Sequence, residues 1–270
     1  MSQQPITSTA NPLIKEALRI KERRGGHGSS VFIIEGPHLV EMALASPAAG
    51  LRQVFFTEDF SSSREGQRLL KRLKETSVHL VEASKRVIEK LTDTETPQGI
   101  AAVLSLEMAS LDAIPFKTMP LLVVCDGIRD PGNIGTIVRA ADAAGADAVL
   151  LTPGTCNAFM SKAIRASAGS IFAVPVISAG VEEILRFLEV QSIGLYAADV
   201  HAALSLYGTD FRGPAALAFG NEAHGIGAAL LRNADVTFSI PVLGGAESLN
   251  VAMAVSVSLY EAVRQRGQIS

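Results

Sequence analysis

From residue 119 onward, short apolar runs rich in branched side chains alternate with helix-like stretches: LLVVCD, DAVLLT, VPVIS, IGLYAAD, AALAFG and VTFSIPV. Strands that read as nearly unbroken apolar runs are buried on both faces, and joining them through helices makes them pair in parallel. The expectation is an α/β fold whose C-terminal part is a mostly parallel sheet covered on both sides. Helices are expected over 134–144, from Ser161, over EEILRFLEV and from Ser248 onward.

The first hundred residues carry a smaller alternation. Asn11-Pro12 reads as a helix cap followed by proline at the first helical position, with Leu13, Ile14, Ala17 and Leu18 on one side and a stop at Gly25-Gly26. VFIIEG, HLVEMALA, RQVFFTE, RLLKRLKE, VHLVEA, KRVIEKLTD and GIAAVLSL follow, enough for a compact α/β unit. LEMASLDAIPFKTMP then loses periodicity and holds two prolines. Three regions are expected: a domain over 1–105, a linker over 106–118 and a second domain over 119–270.

Composition narrows the class. A hydrophobic share of 48% with 19% charged residues describes a globular chain. No apolar run approaches the roughly 18 residues that span a bilayer, and the N-terminus has no apolar signal core. Cys125 and Cys156 lack metal-type spacing, so a reduced, cytoplasmic protein without a metal is expected. The net charge of −3 conceals a gradient: residues 1–105 hold 14 Lys/Arg against 12 Asp/Glu, and the remainder 10 against 15. Lys15, Arg19, Lys21, Arg23 and Arg24 form the sharpest basic cluster, either a solvated helix face or an RNA contact.

Three polar clusters stand where strands of the second half end: DPGNIGTIVRAAD, AFGNEAHGIG and SIPVLGGAESLNVAMA. The first is neither a phosphate loop, lacking G-x-x-x-x-G-K-[ST], nor a dinucleotide fingerprint, lacking G-x-G-x-x-G. Ligands of open α/β sheets bind outside the carboxyl ends of strands, so three such turns suggest one composite site. Each also has a plain structural reading. Arg139 has Asp142 three residues on as an ion-pair partner, Glu222 can accept backbone N–H groups, and Ser248 can cap the last helix with Asn250 in its first turn. Arg165 can be an ordinary exposed helix residue, and His224 has no nucleophile motif beside it.

Taken in order, D-P-G-N-x-G-x-x-x-R, F-G-N-E and I-P-x-x-G-x-x-E-S-L-N-V resemble the SpoU (TrmH-like) RNA 2′-O-ribose methyltransferases of the SPOUT superfamily. KAIRASAGSIFAVPV and TPQGIAAV look like the same family. NPLIKEALRIKERR and FIIEGPHLVEMAL resemble its substrate-binding extension, a small α/β/α RNA-binding domain similar to some ribosomal proteins. The resemblance covers nearly the whole chain. It implies a SPOUT domain with a deep trefoil knot, S-adenosylmethionine as cofactor, structured RNA as partner and a homodimer built around the knot.

Carried over by position, the resemblance makes Arg139, Asn133, Glu222, Ser248 and Asn250 the candidate catalytic set. Gly220, Asn221, Ile240 and Leu249 become the cofactor contacts, held largely through backbone. Lys15, Arg19, Arg23, Arg24 and Arg165 are the candidate RNA contacts. One departure is Ala223, where the family often has glycine; a positive φ there would strain alanine. Arg139 matches the family's proposed catalytic residue, but a free guanidinium holds its proton at physiological pH. A charged Arg139 that binds phosphate and stabilises alkoxide charge is the less demanding role. The extended N-terminal half points to ribosomal RNA of the large subunit. The competing readings are a tRNA 2′-O-methyltransferase, a non-catalytic RNA-binding or ribosome-assembly factor on the same scaffold, and, least favoured, a nucleotide-dependent oxidoreductase.

Overall fold

The computed structural model describes residues 4–22 and 31–267. The chain divides into two compact units: residues 1–107 with 159–172, and residues 108–158 with 173–270.

In the first unit, α1 (Pro12–Glu22) begins behind Asn11, whose side-chain oxygen accepts the N–H of Leu13 at 2.9 Å. The stop expected at Gly25-Gly26, and with it Arg23 and Arg24, lies outside the described residues. There follow β1 (Val31–Glu35), α2 (Pro37–Ala45), β2 (Ala49–Phe56), α3 (Glu58–Ser62), α4 (Arg64–Lys74), β3 (His79–Glu82), α5 (Lys85–Leu91) and β4 (Ile100–Leu106). The sheet order is β1-β4-β2-β3, antiparallel except for β2 with β3. α4 shows why this sequence is helical. Ser63 caps it by accepting the Gly66 N–H, Leu69, Leu70 and Leu73 bury one face, and Lys71, Arg72 and Lys74 complement the negative C-terminal end. Ile14 and Ala17 of α1 pack with Phe55, Val81, Ile88 and Leu91 in the core.

The second unit opens with Leu111 and Ile114 buried in its core, then β5 (Leu121–Asp126), α6 (Pro131–Ala143) and β6 (Ala148–Leu151). The next helix, α7 (Ser161–Ser167), belongs to the first unit. The chain returns through β7 (Val176–Ser178), α8 (Val181–Val190), β8 (Gly194–Ala198), β9 (Ala215–Gly220), α9 (Ala228–Arg232), β10 (Val236–Phe238) and α10 (Val251–Gln265). The sheet is parallel throughout, in the order β10-β8-β9-β5-β6-β7. Leu121 to Cys125 are buried, as expected of a central strand covered on both faces. From β5 the chain builds outward through β6 and β7, then crosses over to place β8 and β9 on the other side. The reversal falls between β5 and β9, where open α/β sheets form their ligand crevice.

Two helix starts differ from expectation. α6 begins at Pro131, not at residue 134, because the Asp130 carboxylate accepts the Asn133 N–H at 3.0 Å and proline presets the first φ. α10 begins at Val251, and its cap is Asn250 in place of Ser248, accepting the Ala252 and Met253 N–H groups at 3.0 and 3.4 Å. α10 buries Val255, Leu259 and Ala262 and packs on α6. Its C-terminal end is fastened by Arg266, which donates to the carbonyls of Met119, Pro120, Phe211 and Gly213. Burial lowers the Arg266 pKa from its ordinary value, against the raising effect of Asp147 and Tyr196.

Candidate active site

The carboxyl ends of β5 and β9 lie side by side, with Asp126 opposite Gly220. Polar side chains stitch the turns that leave them. Asp126 accepts the Thr152 hydroxyl at 2.5 Å and the Gly227 N–H at 2.7 Å. Asn221 donates through Nδ2 to the Gly127 carbonyl at 2.9 Å, while its Oδ1 accepts the Ala223 N–H at 2.9 Å. Asn221 and Gly225 exchange backbone bonds at 3.0 and 2.8 Å, closing a tight loop. Gly220 is required there, because a Cβ on it would fall 2.1 Å from the Gly225 carbonyl. The left-handed position is taken by Gly225, φ +67°, and Ala223 has no positive φ. The strain considered for Ala223 is therefore absent.

The three motifs meet through amide side chains. Asn133 Nδ2 donates to Glu222 Oε1 at 2.6 Å, and Asn250 Nδ2 donates to Asn133 Oδ1 at 3.0 Å. Asn250 thus caps α10 with its oxygen and reaches α6 with its nitrogen, so one residue ties a helix start to the site. The bond to the Glu222 carboxylate is charge-assisted, the stronger kind. Arg139 stands exposed on α6. Among the described residues no hydrogen bond or ion pair engages it, and the pairing with Asp142 does not form. Cys125, fully buried, is held protonated: burial pushes its thiol pKa far up, reinforced by Cys156 and Asp126. It is not a nucleophile at neutral pH.

Beside this chain of amides is a cavity of about 420 Å³, lined by Gly220, Asn221, Glu222, Ile240, Ser248 and Leu249. The four cofactor candidates are all on its wall, and so are Glu222 and Ser248 of the catalytic set. Phe219, Phe238, Val242 and Val251 supply apolar surface, while Asp199 and Glu222 supply carboxylates; among the described residues no lysine or arginine lines it. The size falls within the usual range for small-molecule sites, and apolar walls with acidic groups suit a nucleoside bearing a positive charge. S-adenosylmethionine has that chemistry. Asp126 and Asp199 were not singled out from sequence. The signal was available: two apolar strand runs, LLVVCD and LYAAD, each end in aspartate.

The candidate RNA contacts separate. Lys15 and Arg19 are exposed one turn apart on α1. Lys21 is committed, at 3.0 Å from Asp93 and donating to the Lys90 and Thr92 carbonyls near the end of α5. Arg165, on α7, is 3.2 Å from Glu35 and 3.8 Å from Asp93. Burial alone would raise the Asp93 pKa, but hydrogen bonds from Ser161 and Lys21, with the charges of Lys21 and Arg165, hold it below its ordinary value. Among the described residues no group of three or more His, Cys, Asp or Glu could hold a metal, and no helix is long and apolar enough to cross a membrane.

Residues 120–260 match the SpoU rRNA Methylase family, and residues 11–102 match an MRM3-like substrate binding domain. Among curated proteins, the 23S rRNA (guanosine(2553)-2′-O)-methyltransferase RlmP of Bacillus subtilis is 34% identical over 255 residues, covering 94% of this chain and 97% of its own. The 23S rRNA (uridine(2479)-2′-O)-methyltransferase of Streptomyces viridochromogenes is 31% identical, covering 92% and 86%. Among solved structures, the SpoU methyltransferase AviRb from Streptomyces viridochromogenes, in complex with the cofactor AdoMet, superposes with a TM-score of 0.84 at 28% identity, covering 95% and 98%. With three motifs joined by one hydrogen-bonded chain beside the cavity and a family match over more than half its length, the chain belongs to the SpoU rRNA methylase family.

Proposed function

We propose that this protein transfers the methyl group of S-adenosylmethionine to a ribose 2′-hydroxyl of large-subunit ribosomal RNA. The observation that carries the reading is the hydrogen-bonded chain Glu222–Asn133–Asn250, which joins all three motifs beside the cavity. When bound, the cofactor supplies an electrophilic methyl, so the protein must provide position, charge stabilisation and a path for one proton.

Gly220, Asn221, Ile240 and Leu249 line the cofactor cavity. Glu222 fixes the Asn133 amide, which in turn fixes Asn250, so the polar floor of the site is organised before substrate arrives. Arg139, unspent on any protein carboxylate, binds the phosphate of the target nucleotide and stabilises negative charge developing on the 2′-oxygen. Ser248 orients the ribose. Lys15 and Arg19 hold the RNA backbone, with Arg23 and Arg24 continuing the basic segment and Arg165 acting through its pairing with Glu35 and Asp93. The proposed regions are an RNA-binding domain over 1–105, a connecting segment over 106–118 and a knotted methyltransferase domain over 119–270 that lends residues 159–172 to the first compact unit, working in the cytoplasm.

The same reading includes a homodimer. Leu249, Met253, Val257 and Tyr260 are 36%, 62%, 38% and 49% exposed, and Leu243 is 99% exposed. Met253, Val257 and Tyr260 recur at helical spacing and put a stripe along one face of α10, with Leu243 and Leu249 on the segment before it, more apolar surface than a helix normally leaves to water. Light scattering after size-exclusion chromatography tests this: a monomer at micromolar concentration rejects it.

The deciding experiment is transfer of radiolabelled methyl to rRNA lacking modifications. Label in one ribose, abolished by deoxyribose at the mapped nucleotide, is the expected result. No label despite cofactor and RNA binding would favour an assembly factor, and label in tRNA alone would move the substrate class. A pH–rate profile of Arg139→Lys tests the charge-only role, which is wrong if activity returns with a new limb near the lysine pKa.

A further inference from the structure

We propose that Asp199 sets the cofactor's identity by accepting hydrogen bonds from the ribose hydroxyls of S-adenosylmethionine; the assignment rests on the methyltransferase reading above. Asp199 directly follows β8, at the carboxyl end of the parallel sheet, and lines the cavity. Its neighbours are the end of β9, which carries Gly220 and leads into Glu222, and the end of β10, which carries Phe238.

The residue is held at every backbone group. Its N–H donates to the Phe238 carbonyl at 2.9 Å, and its own carbonyl accepts the Ala202 N–H at 3.1 Å. Its Oδ1 accepts the His201 N–H at 2.9 Å, a local turn that fixes the direction of the carboxylate. Among the described residues, Oδ2 has no hydrogen-bond partner. The nearby wall is Phe219, Phe238, Ile240 and Val242, which offers a half-buried carboxylate no donor.

Two other polar residues of the cavity wall are tied to neighbouring turns. Asn221 spends its amide on Gly127, Ala223 and His224. Glu222 accepts from Asn133. Of the two carboxylates lining the cavity, Glu222 is tied to Asn133 through Oε1, which leaves Asp199 Oδ2 as the one outside the amide chain, and a ribose diol presents two adjacent donors. A carboxylate at a strand end performs this task in dinucleotide-binding α/β sheets, where the surrounding motif is different. Position supports the nucleoside over the reacting end. β8 lies two strands from β5, or about 10 Å at the ordinary strand spacing, whereas Asn133 stands in the first turn of α6, the helix that follows β5.

Calorimetric titration of the whole protein tests this, with S-adenosylhomocysteine, its 2′,3′-dideoxy analogue and 5′-methylthioadenosine as probes. The wild type is expected to prefer the diol about tenfold, as for one charge-assisted hydrogen bond. Asp199→Ala should lose that preference, weakening S-adenosylhomocysteine and methylthioadenosine alike while leaving the dideoxy analogue unchanged. Asp199→Asn keeps the local turn and one acceptor, so it should fall between them. Thermal melts check that both variants fold. Weakening of all three probes equally would mean general damage, and weakening of S-adenosylhomocysteine alone would mean the carboxylate reads the ammonium; either overturns the assignment. Variants indistinguishable from a binding wild type refute Asp199 only, whereas a wild type that binds none of the probes refutes the methyltransferase reading itself.

Discussion

Arg165 and Arg139 both sit on short helices between strands of the same half of the sequence, yet the structure treats them in opposite ways. Arg165 lies against Glu35 and Asp93, and Lys21 and Ser161 complete a closed group in which each carboxylate has at least two donors. Arg139 has no partner among the described residues, although Asp142 is within helical reach, and the polar chain in its unit is made of neutral amides ending on Glu222. The group around Arg165 uses its charges to fasten secondary structure. The site in the second unit leaves Arg139 available and spends amides on organisation, which suits a site that must receive phosphate and developing negative charge.

Removing the free cation should have the largest effect. Arg139→Ala is expected to lower single-turnover methyl transfer by about 10²–10³-fold, comparable to loss of a transition-state charge donor, with an unchanged melting curve because the side chain is exposed. A fall in melting temperature to match would break the contrast. Next comes the turn that shapes the cavity. Gly220→Ala would drive a methyl into the Gly225 carbonyl, and overpacking of this kind costs about 1–3 kcal/mol. Cofactor titration should then show roughly tenfold or greater weakening, and undiminished affinity would mean the loop is not the cofactor's support.

Asn133→Ala comes third. It leaves Glu222 without its charge-assisted donor and Asn250 without its acceptor, and kcat/KM should fall by about tenfold. An effect on KM alone would reassign the amide chain to RNA binding. The smallest effect is expected in the fastened group: Arg165→Ala should cost less than about 1 kcal/mol by denaturant unfolding, as partly exposed pairs do. Its pH dependence is directional. The Asp93 pKa is depressed in the folded state, so its contribution is complete above the unfolded carboxylate pKa of about 3.9 and disappears as pH falls through the lower folded value. Acid titration of wild type against Asp93→Asn should begin to converge below about pH 4 and meet only below the depressed folded value. Curves that stay parallel would show that Asp93 is not coupled to folding.

The sequence made the parallel sheet legible because its strands are buried on both faces and read as uninterrupted apolar runs. The helix caps were harder. Ser248 and Asn250 are both good capping residues, and only the reach of Asn250 to Asn133 decides between them. Asn133, Glu222 and Asn250 were marked by their motifs, but their direct bonding spans 89 and 117 residues and follows no period. Asp126 and Asp199 went unnoticed because a carboxylate ending a strand looks like ordinary punctuation until the adjacent strand is known. The placement of α7 was equally hidden, since it lies in sequence between β6 and β7 of the other unit.

That placement has a consequence for synthesis. Because residues 159–172 complete the first unit, its N-terminal part leaves the ribosome before one of its own helices has been translated. Phe32, which stacks on Phe159 at 5.5 Å between ring centres, must wait more than a hundred residues for that cover. The chain also passes from one unit to the other three times, so no single cut separates them. A fragment ending at residue 107 lacks a wall of its own core, and one beginning at 108 carries an unpaired α7 as an exposed adhesive segment.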